Sequence, residues 1–254
     1  MIFFLFYFVL GLVQGLTEFL PVSSSGHLVL VSKLFGMQQN SLFLSVLLHV
    51  ATLLAVLIVL RKEIWQLVCH PFSKQTLLYV VATMPTILIV IIFKGFFEST
   101  FSGDFLPICF MITAVLLVVT SLYSKNKKGK DITYKNAIIM GISQGIAVLP
   151  GISRSGATIC AGLLSGSDKK QTTKFSFIMS IPIIICSLVY EVYNCITSGV
   201  EFFSGSVWLV VMSFVVAFVS GIFAIKCMLK IVEKGKYYYF SVYLVVVAII
   251  SFFI

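Results

Sequence analysis

Charge is what this 254-residue chain has least of. Asp, Glu, Lys and Arg together make up 11% of it, against 59% hydrophobic residues, and the mean hydropathy is +1.10. Soluble domains carry about a quarter charged residues, so the shortage excludes a soluble fold and leaves no basic face for a nucleic acid. Only nine residues are acidic against eighteen Lys and Arg. The six cysteines (Cys69, Cys109, Cys160, Cys186, Cys195 and Cys227) form no CxxC or other ligand spacing, which reads as small apolar packing residues and not as a metal centre or a disulfide framework. No GxxxxGK[ST] loop occurs, so nucleotide hydrolysis has no support. The first twenty residues lack a basic n-region and a small-residue cleavage site and include Glu18, which predicts mature protein and not a removable leader.

Long apolar runs are abundant. They cover about 45–60, 76–97, 105–123, 175–190, 207–226 and 237–254, enough for six crossings at about 20 residues each. Two further apolar regions, 1–35 and 136–165, are broken in the middle by Pro21 or Pro150 followed by serine and glycine. The loops sort by sign: 61–75, 124–135, 166–174 and 226–236 are basic, whereas 98–104 and 191–205 are acidic and 36–44 has no charge. Basic loops stay cytoplasmic, and sides alternate across the six spans only if each broken region enters and leaves on one side. Both termini are then expected on the outer face.

The chain also repeats itself. GLVQG at 11–15 matches GISQG at 141–145, and SSSG at 23–26 matches SRSG at 153–156, both displaced by the same 130 residues (141 − 11, 153 − 23). Matching loops carry opposite charge, so the halves are expected upside down relative to one another. The sequence predicts an all-α polytopic membrane protein with six transmembrane helices and two re-entrant helical hairpins in an inverted-topology repeat. Its halves are 1–130, with hairpin 1–35, and 131–254, with hairpin 136–165, in one integrated membrane domain. Such repeats place binding sites where broken helices meet.

The chemistry concentrates at the two breaks. Gln14 and Glu18 are spaced i, i+4 and share a helix face. After Pro21, Ser23, Ser24 and Ser25 are placed to cap a helix that continues through Gly26 and His27, and Ser153 to Ser155 do the same after Pro150 and Gly151, with Arg154 in the turn and Gly156 and Thr158 beyond it. Free N–H groups at two facing helix starts, with an arginine between them, suit a phosphate or diphosphate. Charge at membrane depth is costly and usually functional, which singles out Glu18 and Arg154. His49, alone on an apolar helix, and His70, in a basic loop, are expected to be structural or solvated, and Tyr237 to Tyr239 to form an interfacial belt. Glu18, Ser24, His27 and Arg154 supply the nucleophile, proton-handling group and positive charge that phosphoryl transfer needs. Glu18 can also anchor a divalent cation, a hard oxygen site suited to Mg2+ or Ca2+.

QGLTEFLPVSSSGH at 14–27 and LPGISRSGAT at 149–158 together resemble the two signature regions of the undecaprenyl pyrophosphate phosphatase, or bacitracin-resistance, family, over the whole chain. The resemblance places that family's acidic pair on Gln14 and Glu18, its active-site serine and histidine on Ser24 and His27, and its phosphate-binding turn on Ser153, Arg154, Ser155 and Thr158. It implies cation-dependent hydrolysis of a C55 prenyl diphosphate to the monophosphate in the bacterial plasma membrane, recycling the cell-wall lipid carrier and opposing bacitracin. Gln14 stands where many members have Glu, which leaves Glu18 with most of the metal or base duty. Either Ser24 with His27 as base, or His27 itself, is the expected nucleophile. The phosphatidate phosphatase type also has SGH and SR elements, but it needs a histidine where this chain has Cys160. A transporter or flippase for an anionic polyprenyl lipid would use the same charges without a nucleophile. A homodimer is one arrangement open to the chain.

Overall fold

The computed structural model describes residues 2–36, 42–100, 105–124, 129–198 and 206–254. The charges read above at Asp104, Glu201, Lys125, Lys127 and Lys128 lie outside the described residues, as do the side chains of Glu98, Glu191 and Cys195. Twelve helices account for the described fold: α1 (Ile2–Phe19), α2 (Ser24–Leu34), α3 (Leu42–Val59), α4 (Arg61–Cys69), α5 (Lys74–Ile92), α6 (Lys94–Thr100), α7 (Leu106–Ser124), α8 (Tyr134–Ile146), α9 (Arg154–Leu164), α10 (Lys169–Ser198), α11 (Val207–Glu233) and α12 (Tyr239–Phe252). Five of them, α1, α5, α7, α10 and α11, are long and apolar enough to cross a membrane, and α3 with α4 makes a sixth if that pair, bent by 81°, is one span. This is an all-α, multi-pass membrane protein. α1, read from the sequence as one arm of a hairpin, has 18 residues and is itself long enough to cross, whereas α12 has only 14.

The distribution of polarity is the reverse of a soluble domain's. Large apolar side chains such as Leu88, Ile91, Val115, Val219 and Phe223 are each more than half exposed on the outer faces, while Gln14, Glu18, Thr52, Thr86, Gln144 and Thr158 are buried. Hydrocarbon accepts the first set, and protein must satisfy the second.

The repeated sequence has a packing role. Gly11 and Gly15 bring α1 so close to α11 that a Cβ at either position would strike the Ser213 or Ala217 carbonyl, and Gly141 brings α8 equally close to the Ala82 carbonyl on α5. Small residues four apart admit this backbone approach, which is how apolar helices associate where no hydrophobic effect drives them together. Each glycine pair therefore docks its helix on a helix of the other half: α1 lies along α11 and α8 along α5, while α7 packs on α12 and α3 on both α10 and α11. Thr86 Oγ1 donates to the Gly141 carbonyl over 2.8 Å at the α5–α8 crossing.

α2 and α9 are the shortest helices at the centre, 11 residues each, and both open on a serine cap. Ser23 Oγ accepts from Gly26 N at 3.4 Å, and Ser153 Oγ accepts from Gly156 N at 3.1 Å. At about 1.5 Å per residue, 11 residues extend only about 16 Å, roughly half a bilayer core.

Candidate active site

The two chain breaks touch one another. Ser23, the one non-glycine described residue in the left-handed region (φ 70°), turns its hydroxyl to accept from Gly151 N at 3.1 Å. In return Ser155 Oγ donates to the Leu20 carbonyl over 2.9 Å. Gly151 itself takes φ 91° and lies so near α7 that a Cβ there would come within 2.6 Å of Cys109 Cβ. Ser153 N donates to Thr113 Oγ1 over 3.2 Å, which fixes the second break on α7. The starts of α2 and α9 thereby face one cavity, bringing their unpaired N–H groups and positive dipole ends to the same place.

Glu18 is the hub. Arg154 Nη2 is bonded and ion-paired to its Oε1; Ser24 Oγ donates to Oε2 over 2.6 Å, and Gln14 Nε2 donates to the same oxygen over 3.1 Å. The Glu18 side chain is 2% exposed and that of Arg154 20%, so the pair is dry on the carboxylate side and open on the guanidinium side. Gln14 Oε1 is buried and has no hydrogen-bond partner among the described residues.

A cavity of about 270 Å³ opens onto this cluster, with Glu18, Ser23, Ser24, Ser25, Ser153 and Arg154 in its walls. A larger groove of about 910 Å³ on the outer face of α7 and α12 is lined by residues such as Ile108, Val115 and Phe252, with no charged side chain, and is remote from this chemistry. Of the remaining residues singled out in the sequence, Gly26 and Gly156 are buried in the first turns of their helices. Thr158 is fully buried, donating to the Arg154 carbonyl over 2.8 Å and sharing a 2.6 Å bond with Ser176 Oγ, so it holds the turn from behind.

His27 lies away from the cavity. Its Nδ1 is 2.7 Å from the Ser23 carbonyl, its Nε2 is 2.7 Å from the Tyr243 hydroxyl, and its ring stacks on that tyrosine. A carbonyl can only accept, so Nδ1 carries a proton, and in the neutral ring the tyrosine hydroxyl donates to Nε2. Polar residues that the sequence reading did not place at the site also line the cavity: Thr17, Ser45, Gln144 and Ser187, and with them His49 from α3, which was expected to be structural or solvated. Gln144 is the 130-residue counterpart of Gln14, which was its only sequence signal. His49 shares a face of α3 with Ser45 and Thr52, at i−4 and i+3, and that short polar stripe in an apolar helix was legible.

Fold and site together define a polytopic helical membrane protein with a hydroxyl–carboxylate–guanidinium cluster at the meeting of two helix starts. The chain belongs to the family described as bacitracin resistance protein BacA, whose model matches residues 7–250. An undecaprenyl-diphosphatase of Carboxydothermus hydrogenoformans is 42% identical over 237 residues, covering 92% of this chain and 91% of that protein. Undecaprenyl-diphosphatases of Halothermothrix orenii and Alkaliphilus metalliredigens are 39% and 38% identical, with coverage of 92% or more on both sides.

Proposed function

We propose that this chain is an undecaprenyl-diphosphate phosphatase of the bacterial plasma membrane. It hydrolyses the C55 diphosphate to undecaprenyl phosphate and inorganic phosphate, which recycles the lipid carrier for cell-wall synthesis and confers the bacitracin resistance that the family's description names. The observation that carries the reading is the 2.6 Å bond from Ser24 Oγ to Glu18 Oε2, with Arg154 on the other carboxylate oxygen. A phosphate presents several acceptor oxygens to a guanidinium and competes with Glu18 for Arg154. Once Arg154 turns to the terminal phosphate, Glu18 is a free base beside a nucleophile.

Ser24 Oγ forms a bond to the terminal phosphorus, its proton passes to Glu18 Oε2, and the bridging P–O bond breaks with its electron pair on the prenyl phosphate. Water then attacks the phosphoserine; one of its protons restores the Ser24 hydroxyl, the other leaves on inorganic phosphate, and Glu18 gives its proton to the prenyl phosphate. The α2 and α9 starts face the transferred group with N–H donors. A role for His27 as nucleophile or base would require breaking its Ser23 and Tyr243 bonds first, which favours Ser24 with Glu18.

The residues also fit a hard cation. Glu18 and the unpartnered Gln14 Oε1 are oxygen donors, to which phosphate oxygens and water would add the remaining ligands of Mg2+ or Ca2+. Such an ion would withdraw charge from the diphosphate. We further read the halves as inverted, with α1–α2 and α8–α9 as the two hairpins, the basic loops cytoplasmic and both termini outside; the exchange of packing partners between halves supports that reading.

The test is phosphate release from C55 diphosphate by detergent-purified protein with Mg2+, with Ca2+ and with EDTA. Cation-dependent release that is lost in Ser24→Ala and Arg154→Ala is the expected result. Folded wild type that binds the lipid diphosphate without releasing phosphate would make the chain a carrier instead.

A further inference from the structure

His49 lines the same cavity from α3, outside both signature regions. Its Nδ1 is 2.9 Å from the Ser45 carbonyl one turn earlier. Because that carbonyl can only accept, the Nδ1 proton is fixed there and Nε2 is the ring nitrogen left for the cavity. His27 offers the opposite arrangement, 7% exposed with both nitrogens engaged by Ser23 and Tyr243.

We propose that His49 is a substrate-binding residue whose Nε2 hydrogen-bonds the terminal phosphate. The proposal rests on the diphosphatase reading. Nδ1–H stays on Ser45, and Nε2 meets the phosphate as acceptor from a P–OH or, in the imidazolium form, as donor to a P–O oxygen. Arg154, in the same walls, is held by Glu18 before substrate arrives. His49 can therefore meet the diphosphate without giving up a partner.

Binding of a prenyl methylenediphosphonate, which has no cleavable bridge, separates this contact from turnover. Wild type, His49→Phe, His49→Ala and His49→Gln would be compared for Kd of the analogue, for kcat and KM on C55 diphosphate, and for melting temperature in detergent. The Phe and Ala variants are expected to bind the analogue about 10- to 100-fold more weakly, the loss typical of one charge-assisted hydrogen bond. The Gln variant, whose amide keeps an N–H donor, is expected to recover most of that loss. Phe retains the ring volume, so an equal loss in Phe and Ala at unchanged melting temperature identifies the contact and not the packing. Unchanged analogue binding in His49→Phe would overturn the proposal while wild-type turnover still upheld the diphosphatase reading. His49-dependent binding without wild-type phosphate release would sink that reading and leave the contact standing.

Discussion

Glu18 and Arg154 meet across 136 residues of sequence, one near each of the two chain breaks, and form an ion pair at their junction that is buried on the carboxylate side. Neither has a charged counterpart in the other half: the 130-residue displacement sets Glu18 against Val148 and Arg154 against Ser24. The two helix starts are alike in sequence, but the carboxylate belongs to one break and the guanidinium to the other. The cluster therefore exists only when the two breaks are docked.

Removing one partner of this pair should cost more than removing both. Arg154→Met leaves a carboxylate unpaired in a dry site, which typically costs about 3–5 kcal/mol. In Glu18→Gln with Arg154→Met no charge is stranded, so the double variant should melt above the Arg154→Met single variant while both release no phosphate. Chemical denaturation in a mild detergent would measure it, and a double variant no more stable than the single would show that Glu18 is not confined to Arg154.

Ser23 separates backbone strain from hydrogen bonding. Its φ of 70° costs an L-residue about 1–2 kcal/mol, and its hydroxyl accepts from both Gly26 N and Gly151 N. Ser23→Ala keeps the strain and loses both bonds, whereas Ser23→Gly loses the bonds and relieves the strain. The glycine variant should be the more stable by about 1 kcal/mol in a thermal melt. Both should lower phosphate release, because the clasp from the first break to Gly151 is gone in each.

Much of this was legible before any coordinates. Pro21 and Pro150 announce helix breaks by removing donors, and the Ser-rich runs behind them announce the caps, because capping is local chemistry readable within four residues. Glu18 and Arg154 stood out because charge is expensive in an apolar chain. The histidines were harder. His27 sits in a serine- and glycine-rich turn and His49 on an apolar helix, yet the fold encloses the first against Tyr243 and opens the second to the cavity. The enclosure of His27 is set by Tyr243, 216 residues away, and no local pattern encodes it. Nor does the repeat GxxQG reveal on its own that its glycines are contact points for helices of the opposite half.

Gln14 gives the cation a test of its own. Its amide donates to Glu18 and leaves Oε1 buried and unpartnered. Gln14→Leu removes that oxygen without touching the Ser24 or Arg154 bonds to Glu18. The concentration of Mg2+ or Ca2+ needed for half-maximal phosphate release should rise about tenfold or more, the size expected for loss of one ligand or its support. Gln14→Glu should lower it by adding charge. Equal cation dependence in all three forms would place the ion elsewhere.

The glycine crossings predict defects far from any chemistry. At Gly11 and Gly141 even one methyl would strike backbone carbonyl oxygen, of Ser213 and Ala82 respectively, and a carbonyl cannot swing aside as a side chain can. Gly11→Ala and Gly141→Ala should therefore force α1 off α11 and α8 off α5, lowering the melting temperature and, because those two crossings carry Glu18 and the second break, lowering activity with it. Gly95, in α6, has no atom of the described residues within 4 Å of where a Cβ would sit, and Gly95→Ala should be neutral or gain up to about 1 kcal/mol from helix propensity. If Gly95→Ala and Gly141→Ala melt together, backbone contact is not what selects glycine at the crossing. If only the crossing variants fail, the repeat's glycines act as the docking points that hold the two breaks face to face.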